Sequence, residues 1–190
     1  LEFLKLESNW EYKVVLNSDG GDLFAGMELG RIFREYKFHT GVGSFSKPTD
    51  NLENYHEDWE ILNKGKCLSS CAYAFLGGIN RSVTSWGLGH KLSKIGFHQF
   101  YSILTKEERA LEILEEKTHF SEDQLVSAFI LFYLTEMGID PNVMTLAAFA
   151  SSSDMIYPNA EVRKELKIDY EPDGSFTQLE LQAYKNGLIA

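Results

Sequence analysis

Short apolar segments alternate along this chain with helix-length amphipathic ones, and glycine, proline or Asx turns separate them. That alternation predicts an α/β domain, with a mostly parallel sheet and flanking helices. The chain has 190 residues, 44% of them hydrophobic and 24% charged, which suits one domain with a real core. No internal repeat and no low-complexity stretch complicates that reading. One domain is therefore expected over residues 1–190, with a polar insertion at about 44–64 and an extension from about 170.

The elements follow in order. Residues 12–16, with Val14, Val15 and Leu16, predict a first strand that ends at Asp19-Gly20-Gly21. Asp22 is placed to cap a helix, whose Ala25, Leu29, Ile32, Phe33 and Tyr36 share one apolar stripe. Residues 38–42 predict a second strand, and polar 44–64 a surface loop with one helical turn near Trp59. A helix is expected from the serines at 69–70 to Gly77, then strands at 81–85 and 94–100 around a turn at 87–89. Thr105 with Glu108, and Ser121 with Gln124, have capping-box spacing, and the second of these helices ends at Gly138. Asp140-Pro141 opens a helix to about Ala150, residues 155–157 form a short strand, and Asn159 caps a last helix to about Leu166.

Net charge is −10, with the acidic residues spread along the chain. Phosphate contacts need clustered Lys and Arg, so nucleic acid is not an expected partner. The longest apolar run, residues 125–134, is too short for a membrane span and reads as a buried helix. Leu1-Glu2-Phe3-Leu4-Lys5-Leu6 does not read as a signal peptide, which by itself decides nothing about export. Cys67 and Cys71 are the two cysteines. No second Cys or His pair stands at ligand spacing beside them, so no metal is expected. A strand end feeding a helix start would allow them to bridge in an oxidising compartment, but the burial habit of cysteine favours free thiols.

Three chemical pieces occur in order. Asn17-Ser18-Asp19-Gly20-Gly21 follows a strand and offers bare backbone N–H groups to a developing oxyanion. Ser69 and Ser70 open a helix, where a hydroxyl could meet free amides; sequence chemistry alone does not choose between them. His98, in Ile95-Gly96-Phe97-His98-Gln99-Phe100, arrives on a separate apolar segment and is the expected base, since a serine oxygen needs one at neutral pH. Each piece has a plain structural role as well: a tight turn, an N-cap, a satisfied strand histidine. A third, orienting carboxylate is expected at Asp154, beside the 155–157 strand.

These residues resemble the ClpP/crotonase fold, and within it the Clp-type serine proteases and their exported bacterial relatives. In that family a strand ends in Asn-Ser-Pro-Gly-Gly before a helix, and Asn17-Ser18-Asp19-Gly20-Gly21 is similar, with Asp19 in place of the proline. The family nucleophile stands four residues after a glycine, which from Gly65 gives Ser69. The exported relatives carry Cys-x-Ser-x-Cys, as in Cys67-Leu68-Ser69-Ser70-Cys71, and the family histidine precedes Gln, as His98 precedes Gln99.

The resemblance, over roughly residues 14–169, implies repeated β-β-α units. It implies Ser69 as nucleophile, His98 as base, and the Gly20 and Ser70 amides as oxyanion hole. The family aspartate falls in Ala150-Ser151-Ser152-Ser153-Asp154, so Asp154 requires a local shift, and the 44–64 insertion could cover the cleft. The expectation is a serine peptidase without cofactors, binding peptide near Gly21 and Gln99, self-assembling, and periplasmic or otherwise exported, with a cytoplasmic location as the alternative. An inactive scaffold and an ester or thioester hydrolase are the alternatives.

Overall fold

The computed structural model describes residues 12–46, 61–84, 91–99, 122–151 and 154–172. The expected helix from Thr105, the turn at 87–89, the helical turn at Trp59 and the tail beyond 172 lie outside the described residues. Within them the protein is a mixed α/β structure with short parallel sheets.

β1 (Lys13–Leu16), β2 (His39–Val42) and β6 (Asn80–Ser82) form a parallel sheet in the order β1-β2-β6, with Val14 opposite Thr40 and Thr40 opposite Arg81. β5 (Lys66–Leu68) pairs in parallel with β7 (Lys94–Gly96). Ser18 joins the two: its amide donates to the Lys66 carbonyl at 2.7 Å, and the Leu68 amide donates back at 3.0 Å. Parallel neighbours require a crossover, and α1 (Leu23–Glu35) supplies the one from β1 to β2. Asp22 caps α1 by accepting from the Ala25 amide at 2.7 Å.

The buried face of α1 differs from the expected stripe. Gly26, Met27, Gly30 and Phe33 face inward, while Leu29 and Ile32 are exposed. Backbone proximity explains the rotation. α2 (Ser70–Leu76) runs so close that a Cβ on Gly26 would stand 2.4 Å from the Ser70 carbonyl oxygen. A Cβ on Gly77 would stand 2.0 Å from that of Gly30. Large residues cannot occupy that seam, so the small ones turn inward.

The region expected as a loop at 44–64 contains instead β3 (Ser44–Ser46) and β4 (Ile61–Asn63), an antiparallel pair with Phe45 opposite Leu62. Ile61 and Leu62 are thus strand residues, because a partner strand is there to take their backbone groups. α3 (Glu122–Glu136), α4 (Asn142–Ala148) and α5 (Ala160–Glu165) complete the described elements. Asn159 caps α5 as expected, accepting from the Val162 amide.

α3 is buried on one side only. Ile130, Tyr133 and Leu134 enter the core, where the Tyr133 hydroxyl donates to the Tyr73 carbonyl at 2.7 Å. Leu125, Phe129, Leu131 and Phe132 are exposed, which corrects the reading of a buried helix. No helix among the described residues is long and apolar enough to cross a membrane.

Gly77→Ala should destabilise the fold by about 1–3 kcal/mol, because the added methyl meets backbone that cannot rotate away. Gly138→Ala, which has no atom within 4 Å of its Cβ and only a positive φ of 66° to penalise it, should cost less. Urea unfolding of both variants measures the order, and equal losses would remove the close seam.

Candidate functional site

The site forms where the end of β1 crosses the end of β5. Ser69 follows β5 and precedes α2, with φ 55° and ψ −124°. A non-glycine residue at positive φ is held at a cost on the order of 1–3 kcal/mol, and such strain persists only where the surroundings over-determine it. Here they do. The Ser69 amide donates to the Gly96 carbonyl at 3.0 Å, and its own carbonyl accepts from Ala72 at 2.9 Å. A sharp strand–turn–helix of this kind lifts the serine hydroxyl out of the helix, clear of the backbone.

Gly20 lies directly against this turn. A Cβ there would be 2.8 Å from the Leu68 carbonyl oxygen, 2.8 Å from Ser69 Cβ and 3.4 Å from Ser69 Oγ, and its φ of 110° also excludes ordinary side chains. The glycine turn and the serine turn, distant in sequence, therefore share one surface. Asn17 helps hold them, its side-chain oxygen accepting from the Lys66 amide at 3.0 Å, and Asp19 pairs with Lys66 at 2.5 Å.

His98 follows β7. Parallel pairing of β7 with β5 sets Gly96 beside Leu68, so the chain continues to His98 alongside the serine turn. Its Nε2 is 2.9 Å from Ser69 Oγ, within hydrogen-bond distance. Both residues are half-buried. Phe97, fully buried, fixes the backbone just before: its amide donates to the Ile156 carbonyl at 3.0 Å, and its carbonyl accepts from the Ile156 amide at 2.8 Å. Tyr73 stacks edge-on with Phe97, and burial pushes its phenol up to about 12, so it stays protonated.

Other expected residues are placed as follows. Ser70 is buried at the start of α2, and its amide belongs to the first turn, where no intrahelical carbonyl is available. Gly20 N–H donates to Ser18 Oγ at 3.1 Å, so it would have to exchange that bond to serve an oxyanion. Gly21 is exposed next to it, 3.8 Å from Ser70 Oγ measured at an added Cβ.

Gln99 does not present its amide group to the serine; its Nε2 donates to the Ala148 carbonyl at 2.7 Å. Asp154 is not brought to the imidazole. Its carboxylate accepts from the Met155 amide at 2.8 Å, and His98 Nδ1 lies 2.5 Å from the Gln99 carbonyl oxygen. The local reason is the short reach of a carboxylate one methylene from its own chain: the adjacent amide captures it.

Cys67 and Cys71 are bridged, with Cα atoms 5.2 Å apart, against the expectation of free thiols. Cys67 is the middle residue of β5 and Cys71 lies in the first turn of α2, so the sharp turn at Ser69 folds the two side chains together. The bridge encloses the turn at Ser69. A strand end and a helix start are legible in the sequence, but the positive φ that joins them is not.

Comparison with family models, with curated proteins and with solved structures gives no match to this chain.

Two outcomes follow from the turn. Ser69→Gly should be more stable than Ser69→Ala by about 1 kcal/mol, since only glycine adopts positive φ freely; equal unfolding midpoints would deny the strain. Replacing both Cys67 and Cys71 with Ala should cost about 2 kcal/mol by the loop-entropy account of so short a link. Urea unfolding of wild type with and without reductant provides the same comparison, and indifference to reductant would mean the thiols are not joined.

Proposed function

We propose that this protein is a serine hydrolase of the ClpP/crotonase type, and that it cleaves peptide bonds through an acyl-enzyme on Ser69. One observation carries the reading: a strained serine hydroxyl stands 2.9 Å from the Nε2 of a histidine delivered by another strand. Ser69 Oγ attacks the scissile carbonyl while His98 takes its proton, then returns it to the leaving amine. Water, deprotonated by the same imidazole, releases the acyl group. The Ser70 amide is one donor to the tetrahedral oxyanion, and the Gly20–Gly21 turn supplies the second once the bond to Ser18 Oγ is exchanged.

An extended peptide lies against the Gly20–Gly21 turn, where the main chain is bare enough to pair with it. Export to an oxidising compartment accords with the Cys67–Cys71 bridge. The exposed side of α3, with Leu125, Phe129 and Phe132, suits contact between copies of the chain. A scaffold that retained the fold without the chemistry draws on one specific feature, the absence of Asp154 from the imidazole.

A fluorophosphonate probe decides between these. Wild type should be labelled at Ser69 and Ser69→Ala should not. His98→Ala should slow labelling by about 10²–10⁴-fold, the usual contribution of a general base. A folded wild type that takes no label favours the scaffold. Turnover of esters but not peptides would move the substrate class to esters or thioesters.

A further inference from the structure

The hydroxyl–imidazole pair needs something to fix the ring, and the surroundings of His98 supply it from an unexpected side. Its Nδ1 lies 2.5 Å from the Gln99 carbonyl oxygen. A carbonyl oxygen only accepts, so the hydrogen of that contact must sit on Nδ1. In the neutral ring, Nε2 is then unprotonated and accepts from Ser69 Oγ, which is the tautomer a base requires. A carboxylate in this position does the same work in a Ser-His-Asp arrangement, orienting the ring and selecting its tautomer.

The Gln99 carbonyl is itself held. The Gln99 amide donates to the Ala150 carbonyl at 3.3 Å, and Nε2 of its side chain donates to the Ala148 carbonyl at 2.7 Å. Ala148 is the last residue of α4, and its carbonyl is one of those that a helix end leaves without an intrahelical donor. The amides of Phe149 and Ala150 go to Leu146 and Ala147, which leaves the Ala148 oxygen for the glutamine. With the Phe97–Ile156 pair on the other side, the backbone of His98 is tied down before and after the ring.

We infer that Gln99 is a positioning residue of the candidate centre: its side chain anchors the strand end to α4, and its main-chain carbonyl takes the Nδ1 hydrogen of His98 and so orients the ring. Asp154 is then dispensable. The inference rests on the hydrolase reading for its consequence in rate, while the tautomer it requires can be read independently.

The test combines both readouts. In wild type, nitrogen NMR of labelled histidine, with His98 assigned by its loss in His98→Ala, should show hydrogen on Nδ1 and none on Nε2 in the neutral ring. Gln99→Ala should mix the tautomers and slow fluorophosphonate labelling of Ser69 by up to about 10²-fold, the size expected of a small misplacement. Gln99→Lys, which restores a donor for the helix-end carbonyl, should recover most of the rate.

Asp154→Asn should label as wild type does. Labelling of Gln99→Ala at the wild-type rate, or its loss in Asp154→Asn to the extent seen in His98→Ala, would overturn the inference. Should Gln99→Ala not fold, Gln99→Glu, which sets a carboxylate against the α4 carbonyl, gives the same comparison. If wild type takes no label, the hydrolase reading fails and the spectrum alone decides: an Nε2–H ring ends the inference, an Nδ1–H ring upholds it.

Discussion

The conformation of Ser69 governs this structure. Its positive φ turns the chain from β5 into α2 within one residue, and three other features depend on that turn. It brings Cys67 and Cys71 to bridging distance. It leaves only enough room beneath for a residue without a side chain, which Gly20 fills. And it directs the hydroxyl toward His98 rather than into the helix. A serine in the relaxed, extended conformation usual for an N-cap would cap α2 and do none of these things.

The strain is sustained by non-local contacts. Ser18 stitches the end of β1 to both flanks of Cys67, and Gly96 holds the Ser69 amide from the neighbouring strand. α2 is held in turn against α1 through Gly26, Gly30 and Gly77, so the helix that starts at the site cannot slide. Arg34 adds to that seam, donating to the Gly77 carbonyl at 2.9 Å and to Met137 at 3.0 Å. The fold thus spends its closest packing directly behind the candidate chemistry.

What could be read beforehand were local patterns. Asp22 and Asn159 stand immediately before their helices and cap them as their side chains dictate. The serine turn and the histidine segment were visible for the same reason, each defined within a few residues. The antiparallel β3–β4 pair was not, because Ile61 and Leu62 carry no alternation that distinguishes a strand from a helical turn; their partners lie far back in the chain. The inward face of α1 does not follow its large apolar residues, because the proximity of two backbones places Gly26 and Gly30 there. Asp154 has the right place in sequence order, but its carboxylate is taken by the amide of Met155. Nothing in the sequence points to a main-chain carbonyl as a partner of the ring, since every residue has one.

Most directly, a crystal structure of the protein after reaction with a fluorophosphonate tests whether serine and imidazole act as one unit. The account predicts phosphorus bonded to Ser69 Oγ, its free oxygen within reach of the Ser70 amide, and His98 still beside Oγ at roughly 2.6–3.2 Å. Phosphorus on another side chain, or an unmodified Ser69 in a relaxed helical conformation with the imidazole turned away, would contradict it.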